Sequence, residues 1–321
     1  MITYVLFAIG FVLLIKGADW LVAGSASVAK KYNVSDLVIG LTIVSMGTSM
    51  PELIVNVIAS MSGSSEIAIG NVVGSNIANI LLILGVAAFI YPLTIKESTI
   101  FSEIPYSIIA VLLVAFLANA PIFNPTYNLI ISQLDGVVLI LFFGLFMLYI
   151  VKLAKEGRAD MVEDAPDEVL PMGKSILFIS LGIVALFLGG KWVVDGAIAI
   201  AAQFGLSQNL IGLTIVAIGT SLPELVTSAV AAMKKNTDIA VANVIGSNIF
   251  NLLWVLGLSA MISPMKYDPV INTDILVLLA ASCLIIFSLM TGKAKNQIGK
   301  PTGIFFLVCY VAYTAFLIYR G

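Results

Sequence analysis

The chain has 321 residues, 60 % of them hydrophobic and only 11 % charged, with a formal net charge of −2. Water-soluble domains carry about 25 % charged residues, so the composition excludes a soluble enzyme, a disordered chain and a nucleic-acid binder. Histidine is absent, which removes histidine-based catalysis, metal ligation and proton relay and leaves a polytopic membrane protein.

A spanning helix needs about 20 mostly apolar residues. Such runs occur at 3–29, 36–60, 68–91, 101–120, 130–154, 174–201, 207–232, 240–263, 272–292 and 302–319. They predict an all-α membrane protein with ten transmembrane helices, and nothing alternates as barrel strands do. The first run has no basic segment before it and reads as a retained span. Within the first and sixth runs, Lys16 with Asp19 and Lys191 with Asp195 read as neutralising or interfacial pairs. Glu103 and Asp274 fall at span starts and read as interfacial. Between the fifth and sixth runs lies 152–173, the one long charged stretch. Its acidic residues Glu163, Asp164, Asp167 and Glu168 lack EF-hand spacing, so it reads as a solvated linker. Cys283 and Cys309 sit in late apolar runs and read as small buried hydrophobes without a disulfide.

Loop charge sets orientation. With the N-terminus outside, twelve Lys and Arg residues fall on the cytoplasmic side, among them Lys30, Lys31, Lys96, Lys152, Lys234 and Lys300, and only Lys266 and Arg320 fall outside. Both termini are therefore expected outside a plasma membrane, with the linker cytoplasmic.

The halves repeat. At a constant offset of 172, residues 38–53 match 210–225 at twelve of sixteen positions, and 70–85 match 242–257 at ten of sixteen. Shared Gly-Thr-Ser-x-Pro-Glu-Leu and Gly-Ser-Asn-Ile-x-Asn at one offset indicate duplication. Each half holds five runs, so the second enters the membrane inverted. The expected organisation is a first five-helix repeat at 1–151 (motifs in 38–85), a linker at 152–173 and an inverted repeat at 174–321 (motifs in 210–257). Secondary transporters of this kind place their site where the repeats meet, near the midplane.

The motifs supply hard oxygen. Pro51 lacks an N–H and its ring crowds the carbonyl of Gly47, so the helix should break just before Glu52; Pro223 and Glu224 repeat the arrangement. A carboxylate at membrane depth is functional by default. Asn71, Ser75 and Asn79 share one helix face, as do Asn243, Ser247 and Asn251. Carboxylate, hydroxyl and amide oxygens without thiolate or imidazole suit Na⁺, Ca²⁺ or Mg²⁺, and a dry cage suits Mg²⁺ least. Two glutamates balance one Ca²⁺ or two Na⁺. Bidentate Glu52 and Glu224 give four ligands, and the Thr48 and Thr220 carbonyls would complete six. Hydroxyls of Thr48, Ser49, Thr220, Ser221, Ser75 and Ser247 could form flanking monovalent sites that compete through shared glutamates.

On these residues, GTSMPEL with GSNIAN and GTSLPEL with GSNIFN, the sequence resembles the sodium/calcium exchanger family, within the cation/Ca²⁺ exchanger superfamily, over essentially the whole chain. The resemblance implies ten spans and alternating access by sliding of the first and sixth helices. It implies Ca²⁺ on Glu52, Glu224, Thr48 and Thr220. It implies Na⁺ on Ser49, Ser221, Ser75 and Ser247 with the carbonyls of Ser45 and Ala217, and Asn79 and Asn251 completing the centre. Asparagine at both of those last positions argues against potassium co-transport, and the short linker fits a minimal prokaryotic member. The expected activity is electrogenic exchange of Na⁺ for Ca²⁺ by a monomer, with the bilayer and the two ions as partners, no cofactor and no enzymatic reaction. The alternatives are an H⁺/Ca²⁺ antiporter and, more distantly, a cation channel, which usually needs an oligomeric axis.

Overall fold

The computed structural model describes residues 2–120, 129–156, 170–203, 217–291 and 296–320. Helix α1 runs Ile2–Tyr32. A bent pair follows, α2 (Asp36–Thr48) and α3 (Met50–Met61), with 47° between them. Then come α4 (Ser65–Ile90), α5 (Glu97–Asn119), α6 (Gln133–Glu156) and α7 (Met172–Gln203). A short α8 (Ala217–Thr220) leads into α9 (Leu222–Met233). Helices α10 (Thr237–Ile262), α11 (Ile271–Thr291) and α12 (Lys300–Arg320) complete the chain.

Among the described residues, eight helices are long and apolar enough to cross a membrane, nine with the α2–α3 pair as one span. The expected span at 207–232 is described only from Ala217 onward. The acidic run expected in the linker also lies outside the described residues. Large apolar side chains such as Val12, Ile15, Leu141, Leu148, Val308 and Val311 are exposed, which suits hydrocarbon better than water.

Helices α1 and α7 lie antiparallel in close contact. A Cβ at Gly182 would stand 2.8 Å from the Gly17 carbonyl oxygen, and one at Gly189 would stand 2.8 Å from that of Gly10. Only glycine lets two backbones approach so nearly. The opposite ends of the bundle are tied by two antiparallel strand pairs. Strand β1 (Leu93–Thr94) pairs with β4 (Gln297–Ile298), and β2 (Ile130–Ile131) pairs with β3 (Met265–Lys266). These two-residue pairings are not expected from the sequence, because they are too short to leave an alternating pattern.

Local chemistry sets the turns. Ser35 caps α2 by accepting the Val38 N–H, and Asn236 caps α10 by accepting the Ile239 N–H while donating to Asp36 Oδ2 at 2.7 Å. The α3–α4 turn passes through Gly63 at φ 72°, and the α9–α10 turn passes through Lys235 at φ 59°. The same left-handed turn thus recurs 172 residues later without its glycine.

Two expectations need correction, the partner of Asp19 and the burial of Cys283, and two acidic residues at span starts have partners that the sequence does not show. Asp19 pairs with Lys234, just after α9, rather than with Lys16, because a long-range partner outcompetes a neighbour on the same helix. Glu103 is fully buried and accepts a hydrogen bond from Tyr149. Asp274 is nearly buried and receives both guanidinium nitrogens of Arg320 at 3.1 and 3.0 Å, plus the Tyr313 hydroxyl at 2.9 Å. The cysteines are free thiols, and Cys283 is exposed rather than buried.

Candidate functional site

The α2–α3 break falls at Ser49, whose φ and ψ are −84° and 9°; at Ser221, between α8 and α9, they are −87° and 7°. Pro51 and Pro223 sit in the first turn of the following helix, where a missing N–H is tolerated. Each break therefore ends one helix and begins another, and aims Glu52 or Glu224 from the new first turn into the protein. Both glutamates are completely buried.

The two breaks face each other across the bundle. Ser49 Oγ donates to Glu224 Oε1 at 2.8 Å, and Ser221 Oγ reaches Glu52 Oε1 at 3.4 Å. Thr48 Oγ1 lies 3.1 Å from Asn243 Oδ1, and Thr220 Oγ1 lies 3.3 Å from Asn71 Oδ1. Every contact has its counterpart 172 residues away. Among the described residues, none of the ion pairs includes Glu52 or Glu224.

Helices α4 and α10 close the site from the sides. Ser75, Asn79, Ser247 and Asn251 are buried, and each asparagine opens or nearly opens a π-helical turn, at Asn79–Ile83 and Phe250–Val255. Such turns are frequent at functional sites. Six buried oxygens here lack a hydrogen-bond partner among the described residues: Glu52 Oε2, Glu224 Oε2, Ser75 Oγ, Ser247 Oγ, Asn79 Oδ1 and Asn251 Oδ1. Leaving one buried polar group unsatisfied costs about 1–3 kcal/mol. Three pairs of such oxygens at equivalent positions make a donor set suited to a hard cation taking six to eight oxygens. No cluster of three Asp, Glu, His or Cys exists among the described residues, so carboxylates supply only part of such a set.

The remaining expected residues divide. Ser45 is buried, but its carbonyl already accepts the Ser49 N–H at 3.0 Å and lies 3.2 Å from the Thr48 hydroxyl. Ala217 begins α8. Sequence reasoning passes over Asn56 and Ser228, each four residues after its glutamate. Asn56 Nδ2 donates to the Glu52 carbonyl at 2.8 Å, and Ser228 Oγ accepts from Asn243 Nδ2 at 2.9 Å. A polar residue one turn beyond each glutamate is the available signal.

Residues 2–152 and 174–319 match the family described as sodium/calcium exchanger protein. The chain belongs to the sodium/calcium exchanger family. The inner membrane protein YrbG of Escherichia coli is 36 % identical, with 97 % of this chain and 95 % of that protein covered. The sodium/calcium exchanger MaX1 of Methanosarcina acetivorans is 34 % identical over 99 % of both chains. A solved structure of the sodium-calcium exchanger NCX_Mj, soaked with 10 mM Na⁺ and no Ca²⁺, superimposes with a TM-score of 0.82 at 32 % identity, covering 98 % of each chain. This exchanger-family chain is thus a membrane protein of a transporter family, with the paired-glutamate site at the meeting of its two motifs.

Proposed function

We propose that this chain exchanges Na⁺ for Ca²⁺ across the plasma membrane by alternating access, as a monomer, without a cofactor and without an enzymatic reaction. The observation that carries the reading is the pair of fully buried glutamates, each touched by a serine from the other helix break and each with one oxygen unpartnered among the described residues. Glu52 and Glu224 bind Ca²⁺ with Thr48 and Thr220. Ser49, Ser221, Ser75 and Ser247, with the Ser45 and Ala217 carbonyls, hold Na⁺, and Asn79 and Asn251 serve both. Shared glutamates make the ions compete, and a third Na⁺ per Ca²⁺ would make exchange electrogenic. One chain supplies both halves of the site, which supports a monomeric unit.

The architecture proposed is ten transmembrane helices in two inverted five-helix repeats, 1–151 and 174–321, joined by a cytoplasmic linker at 152–173, with both termini outside. Support comes from contacts that recur at an offset of 172 and from the antiparallel α1–α7 seam.

The test is ⁴⁵Ca²⁺ uptake into proteoliposomes loaded with Na⁺, K⁺ or choline, with the pH gradient clamped. Uptake only with internal Na⁺ is expected. Glu52→Gln and Glu224→Gln should each lower it on the order of 100-fold, since removing a buried charge from its partner costs about 3 kcal/mol or more. Uptake indifferent to Na⁺ but driven by a pH gradient would replace this reading with proton coupling. Near-normal flux in either variant would take that glutamate out of the site.

A further inference from the structure

The Gly-Ser-Asn-Ile-x-Asn motif contains an asparagine that the proposed ion site does not use, Asn76 in α4 and Asn248 in α10. Both are buried. Asn76 Nδ2 donates to the Asn248 backbone carbonyl at 3.0 Å, and Asn248 Nδ2 reaches the Asn76 carbonyl at 3.4 Å. Asn79 Nδ2 donates to Asn248 Oδ1 at 2.9 Å, and Asn251 Nδ2 donates to Asn76 Oδ1 at 3.2 Å. Four amides from two helices form one closed set.

The polarity of that set is fixed by its backbone members. A carbonyl only accepts, so the side-chain nitrogens of Asn76 and Asn248 must face the carbonyls. Their oxygens must then face Asn251 and Asn79, which must answer with their nitrogens. The oxygens of Asn79 and Asn251 are left pointing away from the set, and these are two of the six buried oxygens without a partner. Asn76 and Asn248 are each held within the set by one bond through the nitrogen and one through the oxygen.

We infer that Asn76 and Asn248 are positioning residues that lock the carboxamides of Asn251 and Asn79 with oxygen, not nitrogen, toward the transported cation. Released from its partner, either carboxamide can rotate and present N–H groups, which repel Na⁺ and Ca²⁺ alike. The cross-pairing also makes each half orient the ligand of the other. The inference rests on the reading of Asn79 and Asn251 as ion ligands.

The experiment is a double-mutant cycle read by equilibrium Ca²⁺ and Na⁺ titration of the purified full-length protein in detergent, using Asn76→Leu, Asn251→Ala and the two combined. Each single variant should weaken Ca²⁺ binding about tenfold, the order of one lost hydrogen bond at a charged ligand. The double variant should bind no more weakly than Asn251→Ala alone. A further loss on that background would mean that Asn76 acts through general packing, and the inference falls. Weakened binding in Asn251→Ala with unchanged binding in Asn76→Leu would also overturn it while leaving the site reading intact. Unchanged binding in Asn251→Ala would instead remove Asn251 from the ion site. If Asn76→Leu does not give monodisperse protein, Asn76→Ser, whose hydroxyl is too short to reach Asn251, takes its place. The mirror cycle of Asn248 with Asn79 repeats the test.

Discussion

Helices α4 and α10 carry nearly the same motif in different surroundings. Of the most apolar stretch of α10, 94 % is buried, against 72 % for α4. The difference concentrates at the N-terminal half of the motif. Ala242 and Gly246 of α10 are pressed against α2: a Cβ at Gly40 would stand 2.5 Å from that of Ala242, and one at Gly246 would stand 2.7 Å from Ser45 Oγ. At the equivalent Gly70 and Gly74 of α4, a Cβ would meet nothing within 4 Å among the described residues, which do not include 212–216, the counterpart of the α2 stretch at Gly40–Val44. Accordingly the Thr48–Asn243 contact is sealed, while Thr220 and Asn71 are partly exposed. Among the described residues, the two equivalent contacts therefore differ in exposure.

Labelling tests the inequality most sharply, because its outcome is close to all or none. Gly70→Cys should react with a membrane-impermeant maleimide applied from the side on which α4 begins, and Ala242→Cys should react from neither side, measured on an otherwise cysteine-free protein in vesicles. Equal labelling of both would mean that the two ends of the site are equally open, and the comparison would fail.

Packing gives a second, graded contrast. Gly246→Ala drives its methyl into Ser45 and Leu41, the latter at 3.0 Å from Cα, so a loss of about 1–3 kcal/mol is expected from overpacking. Gly74→Ala meets none of the described residues and should be neutral or slightly stabilising, since alanine favours the helix by up to about 1 kcal/mol. Thermal unfolding in detergent compares the two directly. A matched loss would show that α4 is packed as tightly as α10.

Much of the site is legible in the amino-acid sequence itself. The duplicated Gly-Thr-Ser-x-Pro-Glu motif marks the helix breaks and the glutamates, because proline chemistry and the expense of a buried carboxylate are local and depend only on sequence. What escapes such a reading is set by partners far along the chain. Glu103 reads as interfacial from its place at a span start, yet Tyr149 reaches it from α6. Asp19 has a lysine three residues away in sequence, yet its partner is Lys234, at the end of α9. Ser228 and Asn56 occupy equivalent positions with different residues, so the repeat does not flag them as it flags the serines.

That last difference separates the halves by the smallest expected effect. Asn243 Nδ2 donates to Ser228 Oγ at 2.9 Å and reaches the Glu224 carbonyl at 3.3 Å, while its Oδ1 faces the Thr48 hydroxyl. At Asn71 the oxygen faces Thr220, but the nitrogen lacks a partner among the described residues, and Asn56 takes over the carbonyl of the nearby glutamate instead. Asn243→Ala therefore strands buried polar groups on two other elements, for a loss of about 1–2 kcal/mol. Asn71→Ala strands only Thr220, which is partly exposed and open to water, and should change stability by less than about 0.5 kcal/mol. Thermal unfolding of the two variants reads the difference, and adding Ca²⁺ tells where it acts. If Asn243 only supports the fold around Glu224, bound Ca²⁺ should raise the melting temperature of both variants by the same amount. A smaller rise in Asn243→Ala would mean that this asparagine also holds Glu224 in place for the ion, and that the sealed end of the site is the more exacting of the two.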